Sequence, residues 1–386
     1  MAQATAMSAA ETVPASQMDS IEISLLTCQP HDEVYSLYGH TAIRFHDLRK
    51  GGVDVAFNYG VFDYRKPFFV ARFVFGITDY ELGAYPYDVF QREYKHFGSM
   101  VTEQVLNLTS EEKTRLWLAL AENLLPDNCV YRYNYFYNNC TTKARDIIEN
   151  CINGKVEYAG RQDYTPSYRD IVHDMTRHHP WTQFGIDLLL GIKADATTTR
   201  RQQEFLPNNL MYDFDHAQIH AMDGSYRPLV SERRIAVPAG VQVVKGEFPV
   251  TPLTAGLIVL AIGIVLAIAE YRQRRAFLAW DLLLMIATGT VGIVLFLMLF
   301  SQHPTVSLNL QLLLFNPLPW FFVCQVGRRK PTRYWRITIV LSLLFLIGGM
   351  WQHYATGLWC LALCLLIQAC LHTTKKFNYN QSIYKR

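Results

Sequence analysis

Two short motifs hold the residue types best suited to chemistry. Gly39-His40-Thr41-Ala42-Ile43-Arg44-Phe45 puts a histidine at the start of an alternating run. Asn138-Asn139-Cys140-Thr141-Thr142 puts a cysteine just ahead of a helical pattern. Nucleophilic catalysis by a thiol needs a thiolate, a base to hold its proton and a third group that orients the base. Cys140, His40 and Asn58 can fill these three roles. Each residue type is common alone. His31, His46, His96 and His173 compete for the role of base. Composition alone favours Cys140 as a structural thiol.

The elements that would position these residues are legible. Asn is a favoured N-cap, and Ala144, Ile147, Ile148 and Cys151 fall on one helical face. Cys140 is thus expected in or beside a first helical turn, where the macrodipole and unpaired N–H groups lower a thiol pKa. Residues 20–28 and 40–47 alternate as strands, with Thr41, Ile43 and Phe45 on one face and His40, Ala42, Arg44 and His46 on the other. A turn at 48–52 leads into Val53–Gly60, which reads as the return strand of a hairpin. If that hairpin is symmetric about Lys50, paired residue numbers sum to about 100. Asn58 then lies diagonal to His40 on the same face, ~7–8 Å away by backbone. Thr109-Ser110-Glu111-Glu112 is a capping-box pattern that starts a helix ending near Leu125. Tyr131, Tyr133, Tyr135 and Tyr137 alternate, predicting a strand over 131–137 with one aromatic face.

Composition confines the function classes. Of the residues, 13% are aromatic, enough to build a core and to exclude disorder. A net charge of +3 is too small and too dispersed to argue for nucleic-acid binding. The 50% apolar content is unevenly spread. Five apolar runs, roughly 252–270, 277–300, 308–325, 335–351 and 354–372, follow Phe248, each near the ~20 residues that a spanning helix needs. A fully soluble enzyme is therefore excluded. Pro317 and Pro319, beside Asn316, predict a break in the third run, to be covered by neighbouring helices or to line a cavity. Gln352, His353 and Tyr354 leave only a tight turn between the fourth and fifth.

The loops alternate in charge. Arg272, Arg274 and Arg275 follow the first run, Arg328, Arg329, Lys330, Arg333 and Arg336 the third, and Lys375, Lys376, Lys385 and Arg386 the fifth. The positive-inside rule makes these loops and the C-terminus cytoplasmic, and the N-terminal region extracytoplasmic. His303 and His353 then fall in extracytoplasmic loops. Residues 1–19 hold no apolar signal core, so they are expected to be a disordered mature N-terminus or a trimmed signal region. The expected layout is a catalytic domain over 20–247, a five-helix membrane domain over 248–373 and a cytoplasmic tail over 374–386. The apolar segments Pro180–Ile186 and Leu188–Leu190 suit either core or membrane surface.

Cys28, Cys129, Cys140 and Cys151 lie in the exported region, where oxidation favours pairing. Cys129–Cys151 is the pairing expected if Cys140 is free. No metal is expected. There is no CxxC, and the HxxxH of His216 and His220 lacks the Glu of metalloproteases.

LLTCQP (25–30), YGHTAIRF (38–45), FNYGVFDY (57–64) and YFYNNCTTKARD (135–146) resemble the motifs of the lipoprotein N-acyltransferase family Lnb of Bacteroidota. The resemblance runs from about residue 20 to 372. The exported part also resembles circularly permuted papain-like (NlpC/P60-type) enzymes. The fold class implied is α+β for this domain, followed by an all-α membrane domain. On the resemblance, Cys140 matches the nucleophile and His40 the base. Asn58 takes the third position mainly on the hairpin register. The activity implied is apolipoprotein N-acylation at the bacterial inner membrane, without a cofactor. A membrane phospholipid would give its acyl chain, through a Cys140 thioester, to the α-amine of diacylated lipoproteins. Asn139, Thr141, Arg44 and Tyr38 are supporting or oxyanion candidates, and Phe68, Phe69 and Phe73 of the aromatic segment 67–75 a candidate acyl-chain wall. That segment reads equally well as core. Two other readings stay open: a membrane-anchored cysteine amidase or peptidase acting on cell-wall peptide, and a non-catalytic membrane assembly factor.

Overall fold

The computed structural model describes residues 15–63, 65, 67–159, 165–242, 246 and 248–374. Most of the expected N-terminal extension and cytoplasmic tail, together with Tyr64 of the third motif, lie outside these residues.

The strands in chain order are β1 (Ile21–Cys28), β2 (His40–Asp47), β3 (Asp54–Val61), β4 (Asp79–Pro86), β5 (Val101–Leu106), β6 (Val130–Arg132), β7 (Gly154–Tyr158), β8 (Ala217–Ala221), β9 (Tyr226–Pro228) and β10 (Val230–Val237). The helices before Pro252 are α1 (Phe69–Val74), α2 (Tyr87–Phe97), α3 (Ser110–Asn123), α4 (Cys140–Cys151), α5 (Tyr168–Thr176), α6 (Pro180–Leu189), α7 (Arg200–Gln203) and α8 (Pro207–Asp215). Then come α9 (Pro252–Gln273), α10 (Leu278–Met298), α11 (Leu318–Gly327), α12 (Tyr334–Gly348) and α13 (Leu358–Thr373).

The chain divides into two compact units. The first holds residues 1–165 and 198–246, the second 166–197 and 247–386. The segment 166–197, expected within the N-terminal domain, thus belongs with the apolar helices.

In the first unit, a seven-stranded antiparallel sheet runs β10-β5-β1-β2-β3-β4-β6. Strand alternation sorts its two faces. Ile23, Leu25, Ile43, Phe45 and Phe57 join Leu116 and Trp117 of α3, Ala144 and Ile148 of α4 and Phe214 of α8 in the larger core. Leu26, Cys28, Ala42 and Ala56 meet Tyr87, Phe90 and Tyr94 of α2 on the other face. The β2–β3 register is Ile43↔Phe57, Arg44↔Ala56, Phe45↔Val55 and His46↔Asp54, the symmetry about Lys50 that the sequence predicts. α3 starts with the expected capping box: Thr109 accepts from the Glu112 N–H, and Glu112 from the Thr109 N–H.

The tyrosine strand is shorter than expected. β6 ends at Arg132 because Asn134 Oδ1 accepts the N–H groups of Phe136 and Tyr137. Reciprocal Asn134–Asn138 backbone bonds then close a loop. Tyr131 and Tyr133 keep the common aromatic face, whereas Tyr135 and Tyr137 sit in the turn. The expected Cys129–Cys151 disulfide is absent, and both are free thiols. Cys151 is packed in the larger core, while Cys129 Sγ points to the Pro126 carbonyl oxygen. His216 ends α8 and stacks on Tyr212, whereas His220 lies in β8 and stacks on Tyr226, so they share no helical face.

In the second unit, Pro252–Gln273, Leu278–Met298 and Leu310–Gly327 are long and apolar enough to cross a membrane. α12 and α13 are shorter apolar helices. Residues 349–357 join those two, a longer connection than the expected three-residue turn. The break in the third run is present. A 3-10 turn, Leu310–Leu313, precedes Asn316, whose Oδ1 accepts the Leu318 N–H, and α11 starts there. Gly292 of α10 admits this exposed backbone: a Cβ at 292 would lie 2.4 Å from the Asn316 backbone. Arg169 of α5 is buried and rivets 166–197. It donates to Asp187 at 2.7 Å, to Asp195 at 2.8 Å and to the Leu190 and Gly191 carbonyls. Asp195 also meets His353 Nδ1 at 2.9 Å, and Gln311 donates to the Asp187 carbonyl. His303 is buried.

Candidate active site

Cys140 is the first residue of α4, and the cap that starts the helix also builds the site. Asn139 Oδ1 accepts the N–H groups of Thr141 and Thr142 at 3.0 and 2.9 Å, and the Asn139 N–H donates to Thr142 Oγ1. The Asn139 amide donates to the Tyr135 and Phe205 carbonyls, tying the helix end to two loops.

His40 opens β2, and its Nε2 lies 3.0 Å from Asn58 Oδ1 on β3. With Nε2 engaged, Nδ1 remains for Cys140, which hydrogen-bonds the His40 ring. The strands part beyond Ile43↔Phe57, and β3 is irregular between Asn58 and Val61. Gly60, at φ +91°, makes the gap. A Cβ there would sit 3.7 Å from Cys140 Cβ and 3.9 Å from the Tyr131 hydroxyl. The Thr41 N–H, unpaired with β3, points to the Cys140 sulfur. Thr41 Oγ1 meets Thr141 Oγ1 at 3.0 Å, and Thr141 Oγ1 lies 3.8 Å from the sulfur.

Electrostatics favour a thiolate. Burial alone would raise the Cys140 pKa. The charge and hydrogen bond of His40, the Thr41 N–H and the Thr141 hydroxyl outweigh burial and bring it down to about 7. Burial would lower His40, but the charge and hydrogen bond of Cys140, the Asn58 bond and the charge of Glu93 raise it above its ordinary value. The two shifts are one coupling seen from its two partners, and it favours the charged form of each. Such a thiolate can attack an acyl carbon, and the imidazolium can protonate a leaving group. Cys28, paired with His40 across β1 and β2, is the opposite case: its burial pushes the thiol up and leaves it inert.

Residues 11–175 match the family model for the Lnb N-terminal periplasmic domain, and residues 244–380 match that for the Lnb transmembrane domain. The chain belongs to the Lnb family. Lnb membership marks it as a membrane protein with a periplasmic N-terminal domain and points to an enzyme that modifies lipoproteins. No curated relative and no solved structure matches it.

The other candidates divide within this Lnb periplasmic domain. Thr141 touches Cys140 through its hydroxyl, but its N–H is committed to the cap. Asn139 holds the helix end, with both amide hydrogens donated elsewhere, so it does not serve as an oxyanion donor. Among the described residues, the Cys140 N–H meets no acceptor and remains as the helix-end donor. Arg44 is not brought to the site. Its guanidinium pairs with Asp54 at 2.7 Å and Glu103 at 3.0 Å and lies over the Tyr87 ring, all farther down β2. Tyr38 precedes His40 and interacts electrostatically with Tyr133. Of the competing histidines, His31 stacks on Phe97, His46 faces Asp54 and His173 pairs with Asp187.

Phe69 stacks on Phe73 and on Phe62, Phe62 on Tyr80, and Tyr80 leans on Tyr133. This chain of rings links α1 to the tyrosines beside Cys140. Phe68 stands apart, 83% exposed. An open cavity of about 480 Å³ begins one residue past Gly60, lined by Val61, Phe62, Asp63, Arg65 and Glu81.

Tyr131 is the site residue that motif reasoning missed. Its hydroxyl is buried and donates to no described residue. Burial, then the charge of Cys140, pushes its pKa up, so it keeps its proton. Only the shared parity with Tyr133 hinted at its direction.

Proposed function

We propose that this chain is an apolipoprotein N-acyltransferase with a permuted papain-like catalytic domain. Cys140 is its nucleophile, His40 its acid and base, and Asn58 a positioning residue. The observation that carries the reading is the Cys140–His40–Asn58 arrangement, a thiol at the first residue of a helix beside a strand histidine whose far nitrogen is held at 3.0 Å by Asn58.

The Cys140 thiolate attacks an acyl ester of a membrane phospholipid. The tetrahedral oxyanion is held by the Cys140 N–H and the Tyr131 hydroxyl. Collapse breaks the ester C–O bond, and protonated His40 gives its proton to the glycerol alkoxide. The products are a lysophospholipid and a Cys140 thioester. The neutral α-amine of a diacylglyceryl-cysteine then attacks the thioester carbon. His40 takes a proton from the amine, the C–S bond breaks, and thiolate and amide are released. The ring chain Phe69–Phe62–Tyr80–Tyr133 gives the acyl chain an apolar path that excludes water. The cavity lined by Asp63, Arg65 and Glu81 suits a polar head group.

Alternation of basic loops supports insertion in the inner membrane, with five spans and the C-terminus in the cytoplasm. That topology sets the thiol on the side where lipoprotein N-termini are exposed. The amidase reading has no use for several apolar helices, since a wall hydrolase needs only an anchor.

The test is reconstitution. The purified full chain, in phospholipid vesicles with a diacylglyceryl-cysteine peptide, should yield an N-acylated peptide by mass spectrometry. Cys140→Ala should lose at least ~10³-fold of the rate. Undiminished N-acylation by Cys140→Ala overturns the proposal.

A further inference from the structure

α9, α10 and α13 bring ionisable side chains together inside the apolar unit. Glu270 in the last turn of α9, Asp281 in the first turn of α10 and His372 in the last turn of α13 present ligand atoms that all lie within 4.8 Å of one another. Glu270 and Asp281 are fully buried, and His372 is 9% exposed. Gln368, one helical turn before His372, reaches all three. Its Nε2 lies 2.8 Å from Glu270, 2.9 Å from Asp281 and 3.2 Å from His372. His372 Nε2 is 3.0 Å from Asp281 Oδ1, and Trp335 of α12 stacks on the imidazole.

Two features of this cluster are unexplained by packing. The first is charge. Two carboxylates face one imidazole, and among the described residues no Lys or Arg pairs with Glu270 or Asp281. Even a protonated His372 leaves negative charge in excess, which is costly among apolar helices. The second is hydrogen bonding. Asp281 Oδ2 and Gln368 Oε1 are buried and without a partner. A shared proton would neutralise one carboxylate and leave the amide oxygen orphaned. A half-turn of the Gln368 amide, whose O and N are interchangeable in shape, carries Oε1 into the centre of the cluster.

We propose that Glu270, Asp281, Gln368 and His372 bind a divalent cation of the zinc class, which pins α9, α10 and α13 together. Imidazole, carboxylate and amide oxygen are donors such an ion accepts, and four protein ligands make a closed, structural site. Zinc bonds of ~2.0–2.1 Å in a tetrahedron give ligand–ligand edges of about 3.3 Å. The His372 Nε2–Asp281 Oδ1 edge is 3.0 Å, and the ligand atoms of Glu270, Asp281 and His372 all lie within 4.8 Å of one another, so side-chain movements can close the set around an ion. Arg272 lies in the last turn of α9 and Arg274 and Arg275 follow it, putting the site near the end of the bundle that carries positive loops.

Elemental analysis of the full-length protein, purified in detergent, supplied with Zn²⁺ and freed of excess, tests this directly. About one zinc per chain is expected. Chelator-treated protein titrated with Co²⁺ should develop the visible ligand-field bands of a tetrahedral ion. Glu270→Gln with His372→Gln should lose about tenfold or more of the bound metal. Gln368→Glu separates a bound cation from a bare polar cluster. With a cation, it keeps the metal and melts no lower than wild type. Without one, a third buried carboxylate lowers the melting temperature. Wild type that retains no stoichiometric zinc and gives no Co²⁺ bands overturns the proposal.

Discussion

Asn58 Oδ1 and His40 Nε2 lie 3.0 Å apart across the β2–β3 hairpin, and this bond turns the other ring nitrogen toward Cys140. A hydrogen bond to a charged group is worth about 1.5–3 kcal/mol. Asn58→Ala should therefore lower kcat by about 10- to 100-fold, with KM little changed. Asn58→Asp keeps the acceptor and adds charge, so it should restore turnover and move the basic limb of the pH–rate profile upward. Unchanged kcat in Asn58→Ala would remove Asn58 from the mechanism.

Thiol alkylation reads the ion pair without substrate. The thiolate is the reactive form, so the iodoacetamide rate at Cys140 should rise with pH through about 7. His40→Ala removes the two largest effects that lower this pKa and leaves burial, which raises it. Its alkylation midpoint should move above the ordinary thiol value of 9.0. A midpoint still near 7 would show that another group holds the proton.

Tyr131 gives a separate test of the oxyanion site. Removing one such donor typically costs about 10²–10³ in kcat. Tyr131→Phe should show a loss of that size while leaving the alkylation midpoint of Cys140 in place. A fall in KM alone, or no kinetic change, would mark Tyr131 as packing.

Asn139 acts through the backbone. Asn139→Ala removes the α4 cap and should cost about 1–2 kcal/mol of stability, read as a lower melting temperature of the full chain. A variant as stable as wild type would contradict the capping role.

Much of this site was legible because it rests on local rules. Alternation fixed which residues of β2 and β3 share a face, and the turn around Lys50 fixed the register, so Asn58 was found beside His40. Asn139 marked the start of α4 in the same way. Features set by competition between local patterns were not legible. The alternating tyrosines read as one strand, but the Asn134 side chain captures two N–H groups and ends it. Arg44 shares a strand face with His40, yet two carboxylates distant in sequence claim it. The grouping of 166–197 with the apolar helices depends on buried Arg169 and its two aspartates, whose spacing follows no motif. The Glu270, Asp281 and His372 cluster is invisible for the same reason: its members lie on three helices.

The covalent acyl group proposed on Cys140 can be trapped. The purified full chain should be incubated with a phospholipid bearing an alkyne-tagged acyl chain, with no acceptor peptide present. About one tagged acyl group per chain is expected on the Cys140 peptide, released by neutral hydroxylamine and absent from Cys140→Ala. A wild-type protein that stays unlabelled, or label that persists in Cys140→Ala, would contradict it.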